Sequence, residues 1–206
     1  PVNYFTICRL GLDGGIHVTA SHNPAADNGL KLSLRTAEAF SGEDLQRLRR
    51  RIENGKTLTG TGTMKMIDAE TAYRDHLTTL FPNVGDGMSL VMDSGNGVAG
   101  PLYADVLRRV GAQVTTLCLE PDGTFPNHVA DPSKHSTLQE LQKTVAQQGA
   151  ALGLAFDGDG DRLGCTDESG QIRTADELLL LLAQDLLSRH PGAPVHHGRH
   201  RDIRRT

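Results

Sequence analysis

Residues 89–100 read Ser89-Leu-Val-Met-Asp-Ser-Gly-Asn-Gly-Val-Ala-Gly100. Ser89 to Met92 predict a strand, the glycines a tight turn, and Val98, Leu102, Val106 and Val110 recur at helical spacing, so a helix follows over 98–110. The pattern then repeats downstream. A strand at 112–117 leads through a long polar loop, 120–135, to a helix at 136–148 carrying Leu138, Leu141 and Val145. A strand at 150–156 ends in an acidic loop, and a strand at 162–166, a turn at 167–170 and a Leu-rich helix at 175–188 complete the unit. Such strand–helix alternation implies an α/β fold, a mainly parallel sheet between two layers of helices, with ligands at the carboxyl ends of its strands. Upstream, Asn83-Val-Gly-Asp-Gly87 marks a boundary between units. Before it stand strands at 15–20 and 29–34 and helices at 42–53, with Ser41 as N-cap, and at 68–80, stopped before Pro82.

The composition narrows the function classes. The 206 residues include 23 Gly, no Trp, 4% aromatics and a net charge of −4, which gives neither the stacking surface nor the basic footprint that a nucleic-acid partner needs. No run approaches the roughly 18 apolar residues of a membrane span. Cys8, Cys118 and Cys165 are odd in number and widely spaced, which suits a reducing compartment, and the expectation is a cytoplasmic location. The chain begins at Pro1 and reads as an excerpt.

Three motifs carry chemistry. In Phe156-Asp-Gly-Asp-Gly-Asp-Arg162, Asp157, Asp159 and Asp161 stand at i, i+2 and i+4 with glycines between, so they can converge on one hard cation. A calcium EF-hand fails because its sixth position needs Gly and here holds Arg162, and because the flanks read as strands. A phosphatase using Asp157 as nucleophile leaves the second motif without a task. That motif is the loop Thr19-Ala-Ser-His-Asn-Pro-Ala-Ala-Asp-Asn-Gly29, where Ser21 is a candidate nucleophile with His22 beside it and Lys31 shortly after. The third is the turn Gly95, Gly97, Gly100, a literal G-x-G-x-x-G with Glu120 about twenty residues on, where a dinucleotide-binding fold places its ribose acid. Small residues permitting a tight turn and close packing are the other reading of those glycines.

Taken together, Gly15-Ile-His-Val-Thr-Ala-Ser-His-Asn-Pro24, Asn28-Gly-Leu-Lys31, Asp93-Ser-Gly-Asn-Gly97, Phe125-Pro-Asn-His128 with Asp131-Pro132, and the stretch 152–162 resemble the α-D-phosphohexomutases of the bacterial phosphomannomutase/phosphoglucomutase type. The resemblance implies two α/β/α units with mixed, mainly parallel sheets, the first incomplete. Residues 1–84 resemble the later part of the family's domain I, 85–193 its domain II, and 194–206 match nothing in it. It implies that Ser21 is the phosphorylated catalytic serine. Asp157, Asp159 and Asp161 would be Mg²⁺ ligands with a phosphoserine oxygen of Ser21, and Lys31, His22 and Arg162 would act on protons and the phosphoryl group. The implied partners are a phosphosugar and a hexose 1,6-bisphosphate. In the family the turn at Gly95 binds no nucleotide.

The family's third and fourth domains, which read the sugar and hold its phosphate, are not in this sequence. After Pro194-Val195 the family continues into an apolar strand, whereas His196 to Thr206 is polar and arginine-rich, as a reading-frame shift or gene-model error near Val195, or a domain end followed by an unrelated tail, would produce. Two functions of different class stand open at this point: the phosphoryl-transfer half of a hexose phosphate mutase, and a dinucleotide-binding module on Gly95, Gly97 and Gly100.

Overall fold

The structure, a computed structural model, describes residues 1–194, so the expectations for the tail beyond Pro194 lie outside the described residues. Helix α1 (Val2–Leu10) opens the chain and ends at Gly11, whose left-handed φ of 60° turns the chain so that the Gly11 N–H donates to Cys8 O and the Leu12 N–H to Ile7 O. Strands β1 (Gly14–Val18) and β2 (Leu30–Leu34) then pair antiparallel, with His17 opposite Lys31. At Gly15 the strand lies close under α1, where a Cβ would stand 2.7 Å from the side-chain ends of Asn3 and Ile7.

Helix α2 (Gly42–Glu53) has the bounds that Leu45, Leu48 and Ile52 predict, but Ser41 makes no side-chain cap hydrogen bond. Asp68 does cap α3 (Ala69–Leu80), accepting from the Thr71 N–H. Beyond these lie β3 (Ser89–Asp93), α4 (Gly100–Arg109), β4 (Gln113–Leu117), α5 (Gln139–Gln148), β5 (Leu152–Phe156), β6 (Leu163–Asp167) and β7 (Ile172–Arg173). The strands form one sheet in the order β4-β3-β5-β6-β7. β3 runs parallel to β4 and to β5, and β6 runs antiparallel to β5. The reversal follows from the short loop at 157–162, since a parallel neighbour would need a crossover of a dozen or more residues.

Leu90, Val91 and Met92 are consecutive and all buried, so β3 is covered on both faces. On one face Val91 packs with Leu138, Leu141 and Val145 of the α5 region and with Ala155 of β5. The helix expected over 136–148 starts as a 3₁₀ turn, His135–Leu138, before α5 proper, and the one expected from 98 starts at Gly100 with Pro101 in its first turn.

The chain divides into two compact units, one of residues 1–172 and one from Arg173 onward. The second contains α6 (Ala175–Arg189), whose start is set by a capping box: Thr174 Oγ1 accepts from the Glu177 N–H while the Glu177 carboxylate accepts from the Thr174 N–H. No helix among the described residues is long and apolar enough to cross a membrane.

Candidate active site

The β1–β2 ladder holds open the loop that carries Ser21. Thr19 N–H donates to Gly29 O at 3.0 Å and closes the loop's neck, and Ser21 N–H donates to Thr19 Oγ1 at 2.8 Å. Ser21 has φ 54°, a left-handed conformation that costs a side-chain-bearing residue free energy and that surrounding contacts must impose. The imposed backbone aims its hydroxyl across 136 positions of sequence, donating to Asp157 Oδ2 at 2.8 Å, with Asp159 Oδ1 as second acceptor at 3.1 Å.

Asp157 follows directly on β5, whose carboxyl end lies beside that of the parallel β3. Its Oδ1 accepts the backbone N–H groups of Asp161 and Arg162 at 3.0 and 3.1 Å, which folds the loop 157–162 back on itself. That curl brings Asp157, Asp159 and Asp161 together, with carboxylate oxygens within 4.8 Å of one another. Gly158 is what lets the serine loop approach, since a Cβ there would stand 2.3 Å from the Ser21 carbonyl oxygen. Lys31 Nζ bridges Asp159 Oδ2 at 2.7 Å and Asp161 Oδ2 at 2.9 Å. His22 Nδ1 stands 3.5 Å from Ser21 Oγ, and Arg162 Nε 3.9 Å from Asp157 Oδ2.

The charges are unequal. Burial raises the pKa of Asp157 above the ordinary carboxylate value, and repulsion from Asp159 and Asp161 adds to it. Burial alone would raise Asp159 too, but the Lys31 ammonium and the Thr19 and Ser21 hydroxyls outweigh it and bring it down to about 2. Burial works against charge on Lys31, yet its hydrogen bonds to Asp159 and Asp161 prevail and raise its pKa, so in this arrangement it is a fixed cation rather than a base. Three carboxylates faced by one ammonium and one more distant guanidinium make an all-oxygen, anion-rich nest. That donor set fits a hard divalent cation.

Two profiles match this chain: residues 1–59 fit "Phosphoglucomutase/phosphomannomutase, alpha/beta/alpha domain I" and residues 71–170 fit domain II of the same description. The chain belongs to the phosphoglucomutase/phosphomannomutase family. It is 40% identical over 199 residues to a phosphomannomutase/phosphoglucomutase of Pseudomonas aeruginosa, covering 95% of this chain and 42% of that one. A phosphoglucomutase of Neisseria gonorrhoeae is 38% identical over 197 residues, again covering 95% and 42%. Among solved structures, a family protein from Burkholderia thailandensis superposes with a TM-score of 0.87 at 37% identity, covering 94% of this chain and 43% of that one. The chain thus spans less than half the length of the relatives it matches.

Within this phosphohexomutase chain, every residue singled out in the sequence for the phosphoryl site lies in one place: Ser21, His22, Lys31, Asp157, Asp159, Asp161 and Arg162. Sequence reading missed His17, whose Nε2 lies 3.7 Å from Asp159 Oδ2, although its place two residues before Thr19 on one strand face, opposite Lys31, was an available signal. It missed Tyr103 as well, which donates to Gly160 O at 2.8 Å and packs its ring at a tilt against Phe156, bracing the acidic loop.

The dinucleotide reading of the Gly-rich turn is overturned. A Cβ at Gly97 would meet Gly158 O at 2.8 Å, one at Gly95 would meet Ala130 at 2.9 Å, and one at Gly100 would meet Leu119 O at 2.3 Å. Val98 N–H, which a pyrophosphate would need, is spent on Gly158 O at 3.0 Å. The glycines serve close packing, Gly97 against the acidic loop, Gly95 against Ala130 and Gly100 against Leu119, and Glu120 contributes its carbonyl to Asn96 Nδ2. Gly158→Ala should therefore slow phosphoryl transfer roughly a hundredfold, since an ångström of displacement at a reacting group costs about that much. A single-turnover rate in a variant with an unchanged circular dichroism spectrum checks this.

Proposed function

We propose that this chain carries the phosphoryl-transfer half of an enzyme interconverting hexose 1-phosphate and hexose 6-phosphate, with mannose or glucose as the hexose, through a phosphoserine at Ser21 and a hexose 1,6-bisphosphate. One observation carries the reading: a serine in a strained left-handed conformation points its Oγ at two buried carboxylates, Asp157 and Asp159, supplied by a distant loop. Family membership supports it.

Phosphorylated Ser21 adds about −1.5 to −2 charge to the three carboxylates, a sum tolerable only with cationic partners. Asp157, Asp159, Asp161 and a phosphoserine oxygen would hold Mg²⁺, which stabilises charge on the serine oxygen as it leaves. In the transfer step the Oγ–P bond breaks as a bond from phosphorus to a sugar hydroxyl oxygen forms. The hydroxyl proton passes to His22, beside Oγ, while Lys31, held as a cation by Asp159 and Asp161, offsets the charge at the phosphoryl group. Arg162 faces the phosphoryl oxygens. The reverse transfer, from the other phosphate of the reoriented bisphosphate to Oγ, regenerates phosphoserine.

The test is intact-mass analysis of the chain after incubation with glucose 1,6-bisphosphate and Mg²⁺. One added phosphoryl group is expected, mapping to Ser21 and abolished when a chelator removes divalent cations. Labelling at any other residue, or labelling indifferent to chelation, sinks the proposal.

A further inference from the structure

A second constellation lies on the same sheet, away from Ser21. β3 and β4 run parallel with Asp93 opposite Leu117, so the next residue, Cys118, emerges beside Asp93 at the carboxyl ends of both strands. The loop 120–135 returns His128 to the same spot. His128 Nε2 stands 3.0 Å from Asp93 Oδ2 and 3.8 Å from Cys118 Sγ, and the three ligating atoms lie within 4.8 Å of one another.

The two ring nitrogens of His128 both face acceptors. Nδ1 lies 3.0 Å from Val129 O, an acceptor only, and Nε2 faces the Asp93 carboxylate, also an acceptor only. A neutral imidazole has one proton for these two acceptors. Either the ring carries a second proton or a metal ion takes the place of that proton at Nε2.

We propose that Asp93, Cys118 and His128 form a binding site for a borderline-soft divalent ion of the zinc class, with a fourth position open to solvent. The donors suit that class: one carboxylate oxygen, one sulfur and one imidazole nitrogen, where the Asp157 cluster offers oxygen alone. The spacing suits it too. Tetrahedral zinc, with bonds of about 2.0 Å to nitrogen or oxygen and about 2.3 Å to sulfur, sets ligands about 3.3 Å apart for nitrogen–oxygen and about 3.6 Å for nitrogen–sulfur, and the observed 3.0 and 3.8 Å need shifts of only a few tenths.

The outer partners are already in place. Asp93, almost wholly buried, has its other oxygen fixed by the Gly95 N–H at 2.9 Å, and Val129 O fixes the His128 tautomer that leaves Nε2 free to ligate. Cys118 is held in a left-handed conformation, φ 47°, with its carbonyl accepting from Ser94 Oγ and the Asn96 N–H. Its thiol, pushed up to about 11 by burial and by the Asp93 carboxylate, must lose its proton to the incoming ion, so binding strengthens as pH rises. An ion here ties the loop 120–135 to the sheet beside the turn at 95–97 that supports Gly158.

The experiment is a Co²⁺ titration of the chain under saturating Mg²⁺, which keeps the Asp157 cluster occupied. One equivalent should bind with a thiolate-to-cobalt charge-transfer band and tetrahedral d–d bands, both bleached by Zn²⁺. The bands should survive Cys8→Ser and Asp159→Asn, vanish in Cys118→Ser, and need at least about tenfold more Co²⁺ in His128→Gln, since losing a ligand costs no less than losing an outer partner. In the unaltered chain, Zn²⁺ but not Mg²⁺ should slow alkylation of Cys118, a readout that needs no variant to fold. Absence of the charge-transfer band, its persistence in Cys118→Ser, or alkylation of Cys118 unaffected by Zn²⁺ would overturn the proposal.

Discussion

Ser21→Ala should take up no phosphoryl group from glucose 1,6-bisphosphate under conditions in which the parent chain takes up one. The substitution deletes the only atom of that residue able to carry the group and leaves the backbone problem unchanged, because alanine and serine meet the same penalty at φ 54°. It also removes a donor from Asp157 Oδ2, while the Asp161 and Arg162 N–H groups continue to hold Oδ1. A stability loss of about 1–3 kcal/mol is therefore expected, the cost of one under-satisfied buried acceptor, and the variant should remain folded. Mass spectrometry gives the labelling and a thermal melt gives the stability. A labelled Ser21→Ala chain would move the acceptor elsewhere, with Asp157 the first alternative to examine.

The second large effect concerns turnover. The 206 residues, expressed alone, should carry out one slow phosphoryl transfer and sustain no cycle converting 1-phosphate to 6-phosphate. A cycle needs the non-reacting phosphate held in two opposite orientations, and that holding supplies most of the positioning on which phosphoryl transfer depends. Lys31 is committed to Asp159 and Asp161, and Arg162 lies beside Asp157, so both serve the reacting end. The relatives have more than half their length outside the matched region, where further phosphate-binding groups have room to lie. A coupled assay with glucose 1-phosphate and mannose 1-phosphate, run beside a full-length relative, checks this; equal turnover would refute the division of labour.

Particular residues show how far the sequence could be read. α2 was legible to its ends because Leu45, Leu48 and Ile52 fix its phase and charged residues fill the rest. α1 was not, because apolar residues are spread around it and only Ile7 is buried. The acidic loop announced its chemistry through the i, i+2, i+4 spacing, but that Lys31 would bridge Asp159 and Asp161 depends on a strand register and a sheet order that no local pattern contains. The turn at 95–100 misled in the opposite way. G-x-G-x-x-G records that backbone comes close to something, and only the position of Gly158 O tells that the something is protein.

The close stacking of Gly97 on Gly158, and of Gly158 on the Ser21 carbonyl, has a meaning for anyone who would redesign this chain. The contacts from Gly97 through Gly158 to the serine are written in main chain, layer upon layer. Exposed neighbours such as Ala25 and Ala26 can be rewritten without disturbing those layers. The two glycines admit no synonym: a single methyl group at either one moves the layer above it, and every chemistry grafted onto this scaffold inherits that restriction.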